Sequence, residues 1–368
     1  MSLLSGAWLI RAFGKLALLT LAGGMICPRS ETLAQNPTRM PMDALSEILA
    51  SVKLEGAAYM NAEFTAPWGA RSPSASELAT FLCKGQKHLI TFHLLTEGRA
   101  RATIEYSRHS VDLVAGDIVV CPHGDAHIIS NGSPTSIVDN SANLHAVFSQ
   151  GLALQRMGGD GERTSFVCGY LECDRELSRS FLGGLPPVFK VSIRNDPAGQ
   201  WLENSLKFSA NEAGTRRAGS DAVLARLSEA LFVETMRRYM TALAPEQTGW
   251  LAGARDPIVG TALAHLHRRP ESDWTIANLA QEVGVSRSVL AERFRHYLGE
   301  PPMTYLSRWR LQLGARMLTS TSYSVARISG DVGYESEPAF NRAFKREFGA
   351  PPARFRTLSR SEQKTARV

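Results

Sequence analysis

Two stretches in the last third of this chain repeat one pattern about fifty residues apart, and that repeat constrains the fold more than any other feature. "TIANLAQEVGVSRSVLAERFRHYLG" (Thr275–Gly299) and "SVARISGDVGYESEPAFNRAFKREFG" (Ser324–Gly349) each run short helix, glycine, capping serine, second helix. Gly284 and Gly333 supply the tight turn that two steeply crossing helices require. Thr275 caps the first helix, and Ser286 and Ser336 cap the two second helices. In the first copy Ile276, Leu279 and Ala280, then Leu290, Phe294 and Leu298, face inward; in the second Val325, Ile328 and Val332 do so. Phe340, Phe344 and Phe348 recur every fourth residue, which is one buried face of a helix. Burying that stripe leaves Asn341, Arg342, Lys345 and Arg346 outside, to meet water or a negatively charged ligand. A helix over about Met303–Leu318 lies between the copies and sets their separation.

Charge distribution favours the ligand. Residues 251–368 hold 18 Lys and Arg against 11 Asp and Glu, a balance of +7 in a chain whose total is +6. The other 250 residues therefore stand at −1, and all the excess positive charge lies where the repeat does. Such asymmetry points to a polyanion-binding module.

Both copies are followed by "G-x-P-P", at Gly299–Pro302 and Gly349–Pro352. With the doubled pattern and the basic face, this region, about residues 253–358, resembles the DNA-binding domain of AraC/XylS-family transcription regulators. The resemblance implies that each second helix enters the major groove, the two heads standing about one DNA turn, roughly 34 Å, apart. By family position, Asn341 and Arg342 reach base edges in the second head, with Glu337 nearby. Ser288, Ala291 and Glu292 do so in the first, with Arg287 near phosphate and Arg295 on the same face. Arg suits guanine and Asn suits adenine, whereas Ala291 and Pro338 offer only apolar contact. Lys345, Arg346, Arg308 and Arg310 are expected at the phosphate backbone or simply in solvent.

The first two-thirds read differently. "HLITFHLL" and "ATIEYSRH" are short β-branched and aromatic runs punctuated by Gly98, Gly116, Gly124 and Gly132, as in an antiparallel barrel or sandwich. "GDIVVCPHGDAHIISN" (Gly116–Asn131) has the spacing G-x5-P-x-G-x2-H-x3-N, which is similar to the second motif of the cupin barrel. In the first motif, Thr91 stands where a histidine is expected, leaving His93 and Glu97. His93, Glu97 and His127 make a two-histidine, one-carboxylate set that suits a divalent metal. The alternative, preferred because one ligand position is missing, is no metal: polar barrel residues, with Cys121, beside an organic effector. "SDAVLARLSEALFVETMRRYM" from Ser220 is an amphipathic helix that the resemblance assigns to dimerisation.

The expected fold is thus α+β in two domains: a cupin-like antiparallel β-barrel with trailing dimerisation helices over 42–245, a linker at 246–256, and an all-α domain of two helix-turn-helix motifs (near 275–298 and 324–348) joined by a helix over 257–358, with a basic tail at 359–368. Residues 1–41 form an extension, signal-like ("LALLTLAGGMIC" after Arg11 and Lys15) or a mis-assigned start upstream of Met40 or Met42. Cys27, Cys83, Cys121, Cys168 and Cys173 form no CxxC pair, which fits a reducing cytoplasm. The expected function is a non-enzymatic DNA-binding regulator that senses an unidentified small molecule. It would act as a homodimer and, as an activator, with RNA polymerase. A cupin dioxygenase or isomerase is the competing reading, and it leaves residues 253–358 without a role.

Overall fold

The computed structural model describes residues 44–51, 54–82, 87–107, 109–133, 137–139, 155–174, 181–194, 196–215 and 217–365. The amino-terminal extension, Cys27 and Cys83 lie outside these.

After a first helix α1 (Ala44–Ser51) come β1 (Leu54–Thr65), β2 (Trp68–Ser72), α2 (Ala75–Leu82), β3 (Lys87–Glu97), β4 (Arg99–Ile104), β5 (Ser110–Val114), β6 (Asp117–Cys121), β7 (His127–Asn131), β8 (Val138–Asp139), β9 (Gln155–Gly158), β10 (Arg163–Asp174) and β11 (Phe189–Ser192). The expected barrel is not closed. A six-stranded sheet, β11-β6-β3-β10-β1-β9, faces a five-stranded sheet, β5-β4-β7-β2-β8, and no ladder joins them among the described residues. Nor is the pairing wholly antiparallel, since β9 runs parallel to β1 and β8 parallel to β2. The chain crosses between sheets at corners such as Leu95–Gly116, where the Gly116 N–H donates to the Leu95 carbonyl at 2.7 Å. These corners join the layers without merging them.

The six-stranded sheet is covered on both faces. Along β3, Leu89 and Leu95 fall in the core between the sheets, with Phe64, Trp68, Ile129 and Phe166. Ile90, Phe92 and Leu94 fall in a second core beneath helices α3 (Pro197–Thr215) and α4 (Ser220–Ala242). Period-two alternation sends neighbours to opposite faces, and here both faces are dry.

Helices α5 (Trp250–Arg255), α6 (Pro257–Arg268), α7 (Ile276–Val283), α8 (Arg287–Leu298), α9 (Pro302–Ser320), α10 (Val325–Asp331), α11 (Glu337–Phe348) and α12 (Pro352–Thr365) complete the chain. The expected linker at 246–256 is a free connector only up to Gly249. Trp250, Leu251, Ala252 and Gly253 are apolar enough to form α5 and are all buried. The expected basic tail is helical to Thr365, held by Phe355 against Phe344 at 5.3 Å between ring centroids. The apolar residues Ala44, Leu45 and Ile48 of α1 are buried in the core that also takes in Val259 and Leu263 of α6. Among the described residues no helix is long and apolar enough to cross a membrane.

Candidate nucleic-acid interface and sensor core

The two helix pairs form as local chemistry demands. Thr275 Oγ1 accepts from the Asn278 N–H while Asn278 Oδ1 accepts from the Thr275 N–H, a reciprocal cap on α7. Gly284 turns the chain at φ 78°, and Ser286 caps α8 by accepting from the Val289 N–H. In the second pair, Ser324 and Ser336 cap α10 and α11. Leu290 and Phe294 on α8, and Phe340 and Phe344 on α11, are fully buried; Leu298 and Phe348 are partly buried.

The outward residues stand where the pattern placed them. Arg287, Ser288, Glu292 and Arg295 are exposed on α8, and Ala291 is half-buried. Arg342, Lys345 and Arg346 are exposed on α11, while Asn341 and Glu337 are half-buried beside them. Among the described residues, no ion pair occupies Arg287, Arg295, Arg342 or Lys345. These charges remain available to an anion.

Other basic residues of the same region are consumed inside the molecule. Arg308 pairs with Glu300, and Arg310 donates to the carbonyls of Pro270 and Ser272 at 2.6 and 2.8 Å. Their helix, α9, thus turns both, expected at the DNA backbone or in solvent, onto neighbours within the protein. Arg293 of α8 pairs with Asp256, which also caps α6 by accepting from the Ile258 and Val259 N–H groups. Burial raises the Asp256 carboxyl's pKa, but the Arg293 guanidinium and those N–H groups outweigh it and hold it below its ordinary value. This bridge ties α8 to the start of its domain. It went unread in the sequence because partners 37 residues apart carry no local signal.

The two halves of the chain share one core. Trp250 packs edge-on against Phe181 at 5.4 Å and lies parallel to the His267 ring at 6.0 Å. Its Nε1 donates to the Tyr305 hydroxyl at 2.8 Å, and that hydroxyl lies 2.7 Å from His267 Nε2. Arg255 donates to the Leu243 carbonyl at 2.6 Å at the end of α4, where a cation suits the helix dipole.

Between the sheets, the sensor motif closes a polar spine in an apolar core. His93 on β3 and His127 on β7 are buried, with their Nε2 atoms 2.8 Å apart. His127 Nδ1 lies 2.9 Å from the Asp125 carbonyl, which can only accept. Nδ1 therefore carries the His127 proton, and His93 Nε2 donates to His127 Nε2. Burial holds the pKa of both rings below the ordinary histidine value, and for His93 the facing His127 adds to the effect. Cys121 is buried on β6 opposite Thr91, and burial pushes its thiol up to about 12, so it stays protonated.

Glu97 is not part of this spine. Thr96 is an extra residue in β3 between the pairs Leu95–Phe166 and Glu97–Ser165, and Glu97 lies exposed beside Arg163, 3.4 Å away. The residues present do not fit a metal. Both histidines would have to offer Nε2 lone pairs, which forces a proton onto His93 Nδ1, a buried atom with no partner. Among the described residues no group of three His, Cys, Asp or Glu side chains is placed to hold an ion. On the far side of the sheet, Tyr59, Phe92, Leu231 and Met236 border an apolar crevice of about 20 Å³, room for roughly one water.

Buried neutral histidines make the protein acid-sensitive. His267 is held neutral by burial, its pKa lowered to about 3. The unfolded ring titrates near ~6.5, so below that pH the unfolded state binds the extra proton. Stability is complete above about pH 6.5 and falls as pH drops toward 3, by on the order of 1 kcal/mol for this ring at pH 5.5. Chemical denaturation from pH 7.5 to 5 should show this decline, and His267→Phe should make it shallower.

A cupin family model matches residues 43–241 and a helix-turn-helix domain model matches residues 279–357. An AraC-like transcription regulator of Streptomyces lividans is 31% identical over 268 residues, 73% of this chain and 86% of that protein. The HTH-type transcriptional regulator AlkR of Acinetobacter baylyi is 29% identical over 86% of this chain and 100% of its own length. Among solved structures, the DNA-binding domain of AdpA in complex with a target DNA is 28% identical over 29% of this chain and 95% of its own, at a TM-score of 0.28. The outward basic faces of α8 and α11 now have their context: this chain belongs to the AraC-like transcription regulators, DNA-binding proteins with a cupin domain ahead of a helix-turn-helix domain.

Proposed function

We propose that the protein is a cytoplasmic, homodimeric regulator in which α8 and α11 read successive major grooves while the cupin half, through residue 245, senses a small effector. The carrying observation is the pair of equivalent helices, each buried by an apolar stripe and each with unpaired cations on its open face. Arg287, Ser288, Ala291, Glu292 and Arg295 face one groove; Glu337, Asn341, Arg342, Lys345 and Arg346 face the next. When the regulator activates, RNA polymerase is the further partner.

His93, His127 and Cys121 form the polar interior against which an effector is sensed. His127→Ala is expected to leave effector-free DNA affinity within about twofold, because additivity holds for distant sites. It should blunt the response of a reporter gene in cells; coincident responses would place the effector elsewhere.

The dimer forms through the outer groove of α3 and α4, where Phe208 and Val223 are 44% and 45% exposed and Leu227 and Ala230 line the floor. A second copy covers this groove through the same surface. Phe208→Glu with Val223→Glu should give a monomer by sedimentation. Footprinting should then show that protection of paired sites needs roughly 10²–10⁴ times more protein, the avidity lost with bivalence. Unchanged sedimentation would rule this face out.

A further inference from the structure

One charged side chain stands where the two helix pairs meet. Arg310, inside α9, donates from Nε to the Pro270 carbonyl at 2.6 Å and from Nη2 to the Ser272 carbonyl at 2.8 Å. Both carbonyls belong to the loop that leads from α6 into α7, so they belong to the first pair. Against the same guanidinium lies Gly333, the turn of the second pair, at φ +85°. A Cβ on Gly333 would come within 2.9 Å of Arg310 Cζ and Nη2, and within 2.7 Å of Glu271 Cα. Loop, guanidinium and turn are therefore stacked in contact, and the turn must be glycine for reasons of space as well as backbone angle.

The two pairs otherwise have separate cores. Phe294, Tyr305 and Trp309 belong to one, and Ile328, Phe340 and Phe344 to the other. A single helix between two cores leaves rotation about its axis weakly restrained. A planar guanidinium with two donors committed to fixed carbonyls restrains it, and an ammonium on a flexible stem does not.

We propose that Arg310 is a positioning residue that locks the angle between the two DNA-reading helix pairs and so selects the base-pair spacing at which both engage. This rests on the reading of both pairs as DNA-contacting. Glu271, Asp273 and Tyr334 are the titratable neighbours of the guanidinium, and its hydrogen bonds go to backbone carbonyls of the protein. Its role is internal, and no phosphate contact is assigned to it.

The test uses the full chain and a duplex selected by the wild type from a random pool, with variants carrying one base pair more or fewer between its half-sites. Each added pair turns one half-site by about 34–36° relative to the other. The wild type should show one sharply preferred spacing. Arg310→Lys, which keeps stem and charge, should lose about tenfold at that spacing, on the scale of one charge-assisted hydrogen bond. It should lose much less at the altered spacings, and nothing on a single half-site. Its salt dependence should match the wild type. Gly333→Ala, which crowds the guanidinium and the Glu271 backbone, should flatten the spacing profile too. A parallel loss at all spacings, with a salt slope smaller by about one, would make Arg310 a phosphate contact and overturn the proposal. A lowered melting temperature together with lost half-site binding would do so too, by making it a stability residue. A wild type without any spacing preference would instead sink the two-head reading itself.

Discussion

Arg342→Ala is expected to erase base preference at one position of one half-site while leaving the other positions intact. Arg342 lies on the second turn of α11, two residues after Phe340, whose ring is fully buried. Two residues along a helix is about 200°, so an anchored Phe340 points Arg342 outward. The side chain is exposed, and among the described residues no acidic partner holds it. A guanidinium set this way offers the planar pair of donors that guanine O6 and N7 accept, a contact that discriminates by about 1–3 kcal/mol. Binding to a library of single-base operator variants should therefore show about 5- to 150-fold discrimination collapsing at one position. Lys345→Ala is the contrast. Its exposed ammonium is one turn on, and its loss should weaken every variant about equally and reduce the salt slope by about one. If Arg342→Ala retains all wild-type preferences, another side chain reads that base.

Phe344→Ala should cost about 3–5 kcal/mol, and it should remove the second head without unfolding the sensor. Phe344 is fully buried and meets three rings: Phe340 at 5.3 Å, Phe348 at 4.4 Å and Phe355 at 5.3 Å. The core around it is small, with Leu311, Ala315, Leu318, Ile328, Val332 and Phe340 as its other fully buried members. So small a core has few other contacts to redistribute the loss. Hydrogen exchange on the full chain should show protection vanishing over α10 to α12 and persisting in β3 and β10. Footprints should shrink from two grooves to one. Uniform loss of protection across the chain would show that the two cores unfold as one unit.

The contrast between Arg342 and Arg310 shows where local reading holds and where it stops. The outward direction of Arg342 was legible from Phe340, Phe344 and Phe348, because helical geometry makes direction a property of spacing. The caps at Thr275, Ser286 and Ser336, and the turn at Gly284, were legible for the same reason: each bonds atoms a few residues away. The motif from Gly116 to Asn131 placed His127 at the start of an interior strand, as observed. Arg308 and Arg310 read as DNA-backbone contacts or solvated cations, whereas both engage acceptors within the protein, on Glu300, Pro270 and Ser272, that the fold of the first helix pair brings up. Glu97 read as a partner of His93 from the motif spacing, and an extra residue in β3, Thr96, turns it to the exposed side beside Arg163. The barrel read as closed, yet closure depends on edge strands far apart in sequence meeting, and β9 and β11 remain edges. By itself, then, the sequence determined which residues share a face, where helices start and turn, and where the positive charge gathers, because these depend on neighbours along the chain. Tertiary structure alone decided that His93 and His127 touch, that Trp250 joins the two halves and that Arg310 turns inward, because each depends on groups that only long-range packing brings within bonding distance.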